Sequence, residues 1–298
     1  MTTTTTTTLY EPGLHLDVPH DVYHRGLLDD PRPLQSSMAK TLVLASPAKM
    51  KWDLENRVDK KVFDEGQATH ELVLEGGLKT VDEHDFDSWR TKASQEARDA
   101  SRAAGRVPLL TRELEVPRAM AKAVHSSPLA ADQFTHGHSE VSLLAFDDEF
   151  GVPLQARVDW LQLPEWGAPK PKMVDLKTTA RGDVPREFNR EAAKLHYHLS
   201  LAFYRRVLML LGHPEPEIVL VTVGKDAPHF PAVHELSEMD RMTGDLLVRK
   251  AIATYAECLA NDYWPGYDTE VHRTSMPVWA SIEADELAGL DDEIEASA

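Results

Sequence analysis

The feature that most constrains this chain is a pair of short apolar runs with the period of a β-strand, each interrupted by a carboxylate. In VPLQARVDW, Val152, Leu154, Ala156, Val158 and Trp160 fall on one face, while Gln155, Arg157 and Asp159 fall on the other. In MVDLK, Met173, Asp175 and Lys177 share a face, with Val174 and Leu176 opposite. Strands this apolar are packed in a core, so their charged positions are held rather than washed by solvent. If the two strands are neighbours, Asp159 and Asp175 meet across them, with Lys177 beside them. Two carboxylates in that arrangement are oxygen ligands for a hard divalent cation. Such a cation polarises a phosphoryl oxygen and lowers the pKa of water, and a nearby lysine offsets developing negative charge. The VDLK motif by itself is equally an ordinary Asp–Lys pair on a strand edge.

The rest of the chain supplies a frame. The segment 34–52, LQSSMAKTLVLASPAKMKW, reads as a helix capped by Ser36 or Ser37, followed by a stop or restart at Ser46-Pro47. Residues 65–75, 86–105 and 111–125 read as further helices, all before any convincing strand. The hairpin of SEVSLLAF, the turn DDEFG and VPLQARVDWLQL opens the sheet, and MVDLK follows. A long amphipathic helix is expected over 186–211, then strands in EIVLVTVG and HFPAVHEL, then a closing helix over 237–260 capped by Ser237. The expected fold class is α/β: a central mixed sheet flanked by helices, with a helical N-terminal elaboration. The expected domain plan is a disordered leader over 1–12, one domain over 13–280 with its core at about 62–236, and an acidic tail over 281–298.

Composition narrows the partners. One cysteine, Cys258, excludes an intramolecular disulfide and a four-cysteine zinc site, and fits a reducing cytoplasm. It lies in ATYAECLAN, where a small core residue is expected. No run approaches the roughly 18 apolar residues of a membrane helix, so no membrane partner is expected. The net charge of −17 is unfavourable for a polyanion, but residues 157–206 carry ten Lys/Arg against six Asp/Glu, a local +4 that leaves −21 elsewhere. Phosphate binding needs a local positive surface, not a positive total. Arg181, Arg186, Arg190 and Lys194 follow the second strand and are candidates to track phosphates, or equally a solvated helix face. His196 and His198, at i and i+2, are not a chelating pair on a helix.

Taken together and in order, these segments resemble a known family. ARVDW followed by VDLKTT, with Asp175 sixteen residues after Asp159, is similar to the D…(D/E)xK core of PD-(D/E)xK nucleases. GQATHELVLEG resembles the GxxxH helix of the RecB-like and RecE-like branch, and YHLSLAFY that branch's Q-x3-Y helix. LQSSMAKTLVLASPAKMKW and YWPGY resemble the opening and the end of phage RecE-like (exonuclease VIII-type) exonucleases. The likeness spans about residues 15–268.

The resemblance implies a restriction-endonuclease-like core and a Mg2+-dependent deoxyribonuclease (Mn2+ as an alternative) that hydrolyses duplex DNA from its ends, 5′→3′, in phage-type recombination. It implies His70, Asp159 and Asp175 as metal ligands, the Leu176 carbonyl completing the set, and Lys177 as the catalytic lysine. Glu140, at the start of the first long strand, is a further candidate ligand. Tyr197, Ser200, Tyr204, Arg157, Thr178 and Arg181 are candidate DNA contacts; Ser200 stands where the family's helix usually has glutamine. A single-strand annealing partner of the RecT kind and a ring-like homo-oligomer are also implied, and the charge partition of +4 against −21 suggests a ring with basic surfaces inward and acidic ones outward. The alternatives are an endonuclease or single-strand nuclease with the same site, a catalytically weak DNA-binding protein of the same fold, and a metallohydrolase of small phosphoesters.

Overall fold

In the computed structural model, which describes residues 10–56, 64–180, 184–268 and 271–288, the sheet is organised on the expected hairpin. In chain order the strands are β1 (Gly13–His15), β2 (Leu34–Gln35), β3 (Val81–His84), β4 (Val107–Leu110), β5 (Gly137–Asp147), β6 (Val152–Gln162), β7 (Lys172–Thr179), β8 (Glu217–Gly224) and β9 (Pro231–His234). The main sheet runs β1-β5-β6-β7-β8-β9, with β2 pairing parallel to β6. β5, β6 and β7 are antiparallel to one another in sequence, β7 and β8 are parallel, and β9 returns antiparallel. The sheet is therefore mixed, as expected.

The helices are α1 (His20–Arg25), α2 (Ser36–Leu44), α3 (Pro47–Glu55), α4 (Asp64–Leu74), α5 (Lys92–Ala103), α6 (Glu115–Ser126), α7 (Pro128–Asp132), α8 (Pro185–Lys194), α9 (Tyr197–Leu210), α10 (Glu238–Asn261) and α11 (Val278–Leu287). One face of the sheet packs Val141, Leu143, Leu154, Ala156 and Val158 of the hairpin against Met38 and Leu42 of α2, Phe203 and Leu208 of α9, and Val248 and Ile252 of α10. The other packs Val174, Leu176, Val219, Val221 and Val223 against Val73 and Leu74 of α4 and Met120 and Val124 of α6. Helices thus cover both faces of one sheet. Cys258 is buried in α10, as a small core residue should be.

Several local expectations are corrected. Ser36 and Ser37 are the first helical residues of α2, whose cap position is Gln35; Ser46 is the working cap, accepting from the Lys49 amide at 3.2 Å, so Ser46-Pro47 restarts a helix. The helical reading of 86–105 shrinks to α5, capped by Thr91. The N-terminal half also holds strands: β3 and β4 form a separate parallel pair. The long helix expected over 186–211 is two, α8 and α9, divided at His196, which has a left-handed φ of 52°. Ser237 caps α10 as expected, accepting from the Asp240 amide at 3.2 Å.

The chain divides into two units, Met1–Trp264 and Pro265–Ala298. That division precedes the boundary expected at 280, and α11 occupies part of the segment expected to be an acidic tail. Among the described residues no helix is long and apolar enough to cross a membrane.

α9 and α10 approach so closely at Gly244 that a Cβ there would lie 2.4 Å from the His198 carbonyl oxygen and 3.0 Å from the Ala202 Cβ. Backbone on the far side cannot yield as a side chain does, so Gly244→Ala should destabilise the protein by about 1–3 kcal/mol. Chemical denaturation of the two proteins checks this, with an unchanged midpoint as the contrary result.

Candidate metal and nucleic-acid site

β6 and β7 are paired at Gln162–Lys172, Leu161–Met173 and Trp160–Val174. Continuing that register sets Asp159 opposite Asp175, the meeting that the two sequence patterns anticipate. Regular pairing ends there, and the Asp159 carboxylate takes over: its Oδ2 accepts from the Leu176 amide at 2.8 Å. The same oxygen lies 3.7 Å from Lys177 Nζ and 3.8 Å from His70 Nδ1. Lys177 Nζ is 2.5 Å from Asp175 Oδ2 and donates to the Leu176 carbonyl at 3.2 Å.

The alternation along β6 changes at this point. Val152 through Val158 pack on the first face as read from the sequence, but Trp160 packs with Val174 and Leu176 on the second, contrary to the expected common face. On β5, pairing holds at Ser139–Trp160 and Val141–Val158. Glu140, between them, has a left-handed φ of 50°. Such a conformation in a residue with a Cβ costs on the order of 1–3 kcal/mol and persists only when the surroundings enforce it. Here it accompanies a carboxylate turned into the site: His70, Glu140 and Asp159 present ligand atoms all within 4.8 Å of one another.

His70 comes from α4, which is anchored by a neighbouring side chain that the sequence did not single out. Buried Glu71 accepts from the amides of Lys79 at 2.6 Å and Thr80 at 3.0 Å, closing the chain back against its own helix. Glu75, just past the end of the same helix, accepts from Ser139 Oγ at 2.6 Å, tying α4 to the residue preceding Glu140.

The electrostatics follow from this crowding. Burial and the charge of Asp159 push the Glu140 carboxyl up to about 7, with Arg157 opposing the rise. Glu140 nevertheless keeps 39% of its side-chain surface exposed. Burial also raises Asp175, partly offset by Lys177 and reinforced by Asp159. Burial would lower Lys177, but Asp175 and Asp159 outweigh it and hold the amine protonated. Three carboxylates and one imidazole thus converge with one lysine and a more distant guanidinium. Nitrogen and oxygen donors, with negative charge in excess, suit a hard divalent cation. Asp175 and the Leu176 carbonyl are both in contact with the Lys177 amine.

Other candidate residues fall in three places. Tyr197 and Tyr204 lie on α9 within the field of Asp175 and Lys177; burial raises both hydroxyls, Tyr197 to about 12. Thr178 lies beside α4, its Oγ1 3.8 Å from where a Cβ on Gly66 would stand. Ser200 lies on α9 and is 8% exposed, as is Tyr197. Arg157 is engaged by the frame of the fold. Its guanidinium donates to Ser142 Oγ at 3.0 Å and the Val18 carbonyl at 2.7 Å, and lies over the Tyr23 ring, so it fastens the N-terminal segment to the sheet. Arg181 lies outside the described residues.

Part of the local +4 between 157 and 206 is met by acids from elsewhere in the chain. Lys170 and Lys172 pair with Glu217, Arg205 with Glu215 and Asp245, and Arg206 with Asp147 and Glu149, all acids from outside that segment. Sequence reasoning instead missed Lys40, a half-buried lysine of α2 whose amine burial and Lys177 lower to about 8. No local pattern distinguishes it from a surface lysine.

A family model described as a PDDEXK-like domain of unknown function (DUF3799) matches residues 36–274, a span that contains every residue of this cluster. The chain belongs to this family. Membership accounts for the mixed sheet flanked by helices. Among solved structures, a protein from Eubacterium rectale named "Putative exonuclease" superposes with a TM-score of 0.55 at 10% identity, covering 83% of this chain and 91% of its own. A second, SSO0001, gives a TM-score of 0.29 at 13% identity over 66% of this chain and 87% of its own, too slight a likeness to carry an argument. No curated protein sequence matches significantly.

Asp159 has two separable tasks, as an acceptor for the Leu176 amide and as a charge. Asp159→Asn should keep the first and lose the second, lowering affinity for Mg2+ by about tenfold or more, since affinity follows ligand charge. Asp159→Ala should in addition lose about 1–3 kcal/mol of stability through the unpaired Leu176 amide. Calorimetric titration with Mg2+ and denaturation of both variants check the pair; equal stability of the two would contradict the bridging task.

Proposed function

We propose that this protein is a Mg2+- or Mn2+-dependent deoxyribonuclease that hydrolyses phosphodiester bonds at the ends of duplex DNA. The observation that carries the reading is the convergence of His70, Glu140 and Asp159 beside the Asp175–Lys177 pair, within a PDDEXK-like domain. His70, Asp159 and Asp175 would hold the cation, with Glu140 and the Leu176 carbonyl as further ligands. When bound, the cation polarises the scissile phosphate and makes water a better nucleophile.

The chain's own groups do the rest. Lys177, kept cationic by two aspartates and 26% exposed, is placed to orient the attacking water and to offset charge that grows on the phosphate. A fixed amine of this kind costs little reorganisation as charge develops, which is why its removal reduces rates by orders of magnitude. Tyr197 and Tyr204, their hydroxyls held protonated, are donors for phosphate oxygens. The Eubacterium rectale protein of similar fold, which carries the name "Putative exonuclease", favours action at ends over internal cutting. We extend the reading, on the sequence resemblance to RecE-like exonucleases, to 5′→3′ resection, a RecT-like annealing partner and a homo-oligomer.

Purified protein should release nucleotides from linear duplex in the presence of Mg2+ and leave covalently closed circles intact. Lys177→Ala should lose cleavage by at least about a hundredfold while retaining Mg2+ binding. Near wild-type rates for Lys177→Ala at saturating Mg2+ would remove the assigned role, and equal digestion of circles would replace the exonuclease with an endonuclease.

A further inference from the structure

Lys40 stands at the edge of this site on a helix that contributes none of the other candidate groups. Its amine donates to the Leu195 carbonyl at 2.9 Å, in the turn between α8 and α9. It lies 5.7 Å from the centroid of the Tyr197 ring, and the Lys177 amine lies 5.7 Å from the same centroid. Two ammonium groups therefore share one aromatic ring, one belonging to the Asp175 pair and the other not.

The field of these amines is felt nearby: His198, one residue past Tyr197, is held below its ordinary pKa by burial, His196 and Lys40, against Asp240, so its imidazole favours the neutral form. α9 starts at Tyr197, so the positive end of its dipole points into this cluster, and its cap position, His196, makes no side-chain cap hydrogen bond. Gathering two ammonium groups and a helix N-terminus in a half-buried corner is unfavourable unless an anion is held there. Asp175 is the carboxylate whose field reaches Lys40, and it is already in contact with Lys177.

We propose that Lys40 binds a phosphate of the substrate strand next to the scissile one, so that Lys40 and Lys177 grip consecutive phosphates across the Tyr197 ring. The assignment rests on the nuclease reading above and names a substrate-binding residue for it. The competing account is structural: a lysine that merely satisfies a carbonyl at the end of α8.

Salt dependence separates the two. Each phosphate neutralised by a lysine contributes about 0.9 to the slope of log K against log salt for duplex DNA. Binding of a fluorescent duplex, with Ca2+ in place of Mg2+, is measured across a salt series for the full-length protein, Lys40→Ala and Lys40→Arg. Lys40→Ala should bind more weakly at every salt concentration with its slope reduced by about 0.9, and Lys40→Arg should keep the slope. In cleavage assays, Lys40→Ala should raise KM by about tenfold, as expected for one charged hydrogen bond, with a smaller fall in kcat. An unchanged slope in Lys40→Ala, whether or not its thermal stability falls, overturns the proposal in favour of the structural account. If the wild-type protein binds duplex without cutting it, the nuclease reading fails while the slope comparison still decides the task of Lys40. If it binds no DNA, both fall.

Discussion

The site depends on one hydrogen bond, from the Leu176 amide to the Asp159 carboxylate. β6 and β7 are regular partners as far as Trp160 and Val174 and then separate. A buried strand that loses its partner leaves backbone donors without acceptors, which is costly in a packed interior. The Asp159 side chain supplies the acceptor at 2.8 Å, so the separation is stabilised instead of collapsing into a longer ladder. The opening that results has two aspartates on its walls and room for a lysine between them.

Around that opening the chain accepts local costs. Glu140 holds a left-handed backbone, Asp175 is buried with its charge opposed by Asp159, and Lys40 sits close to Lys177. Each is unfavourable by itself, and together they have a consistent sign. Negative groups exceed their partners deep in the cleft, while positive groups gather at the N-terminus of α9. A divalent cation in the first region and a phosphate strand over the second would relieve both. Arg157 and Glu71, though close by, serve the frame: one pins the N-terminal segment and the other closes the chain onto α4.

The chemistry was more legible in the sequence than the geometry that holds it. Period-two alternation placed Asp175 and Lys177 on one face correctly because β7 is regular through that stretch. The same rule misplaced Trp160, since the faces exchange at Asp159 beside the left-handed Glu140, and no composition signal marks a glutamate that adopts that conformation. His196 hid the break between α8 and α9 for the same reason: helical periodicity continues across it, and only the backbone departs. Charge counting along 157–206 could not register that Lys172, Arg205 and Arg206 pair with acids of β8, α10 and β5. Lys40 was invisible because its significance lies in a contact with Leu195, 155 residues away.

A divalent cation held where β6 and β7 part would be seen by anomalous scattering from a crystal soaked in Mn2+. The account predicts a single strong peak bounded by His70, Asp159 and Asp175, abolished in Asp159→Asn. A peak elsewhere on the molecule, or an empty cleft at millimolar Mn2+, would contradict it.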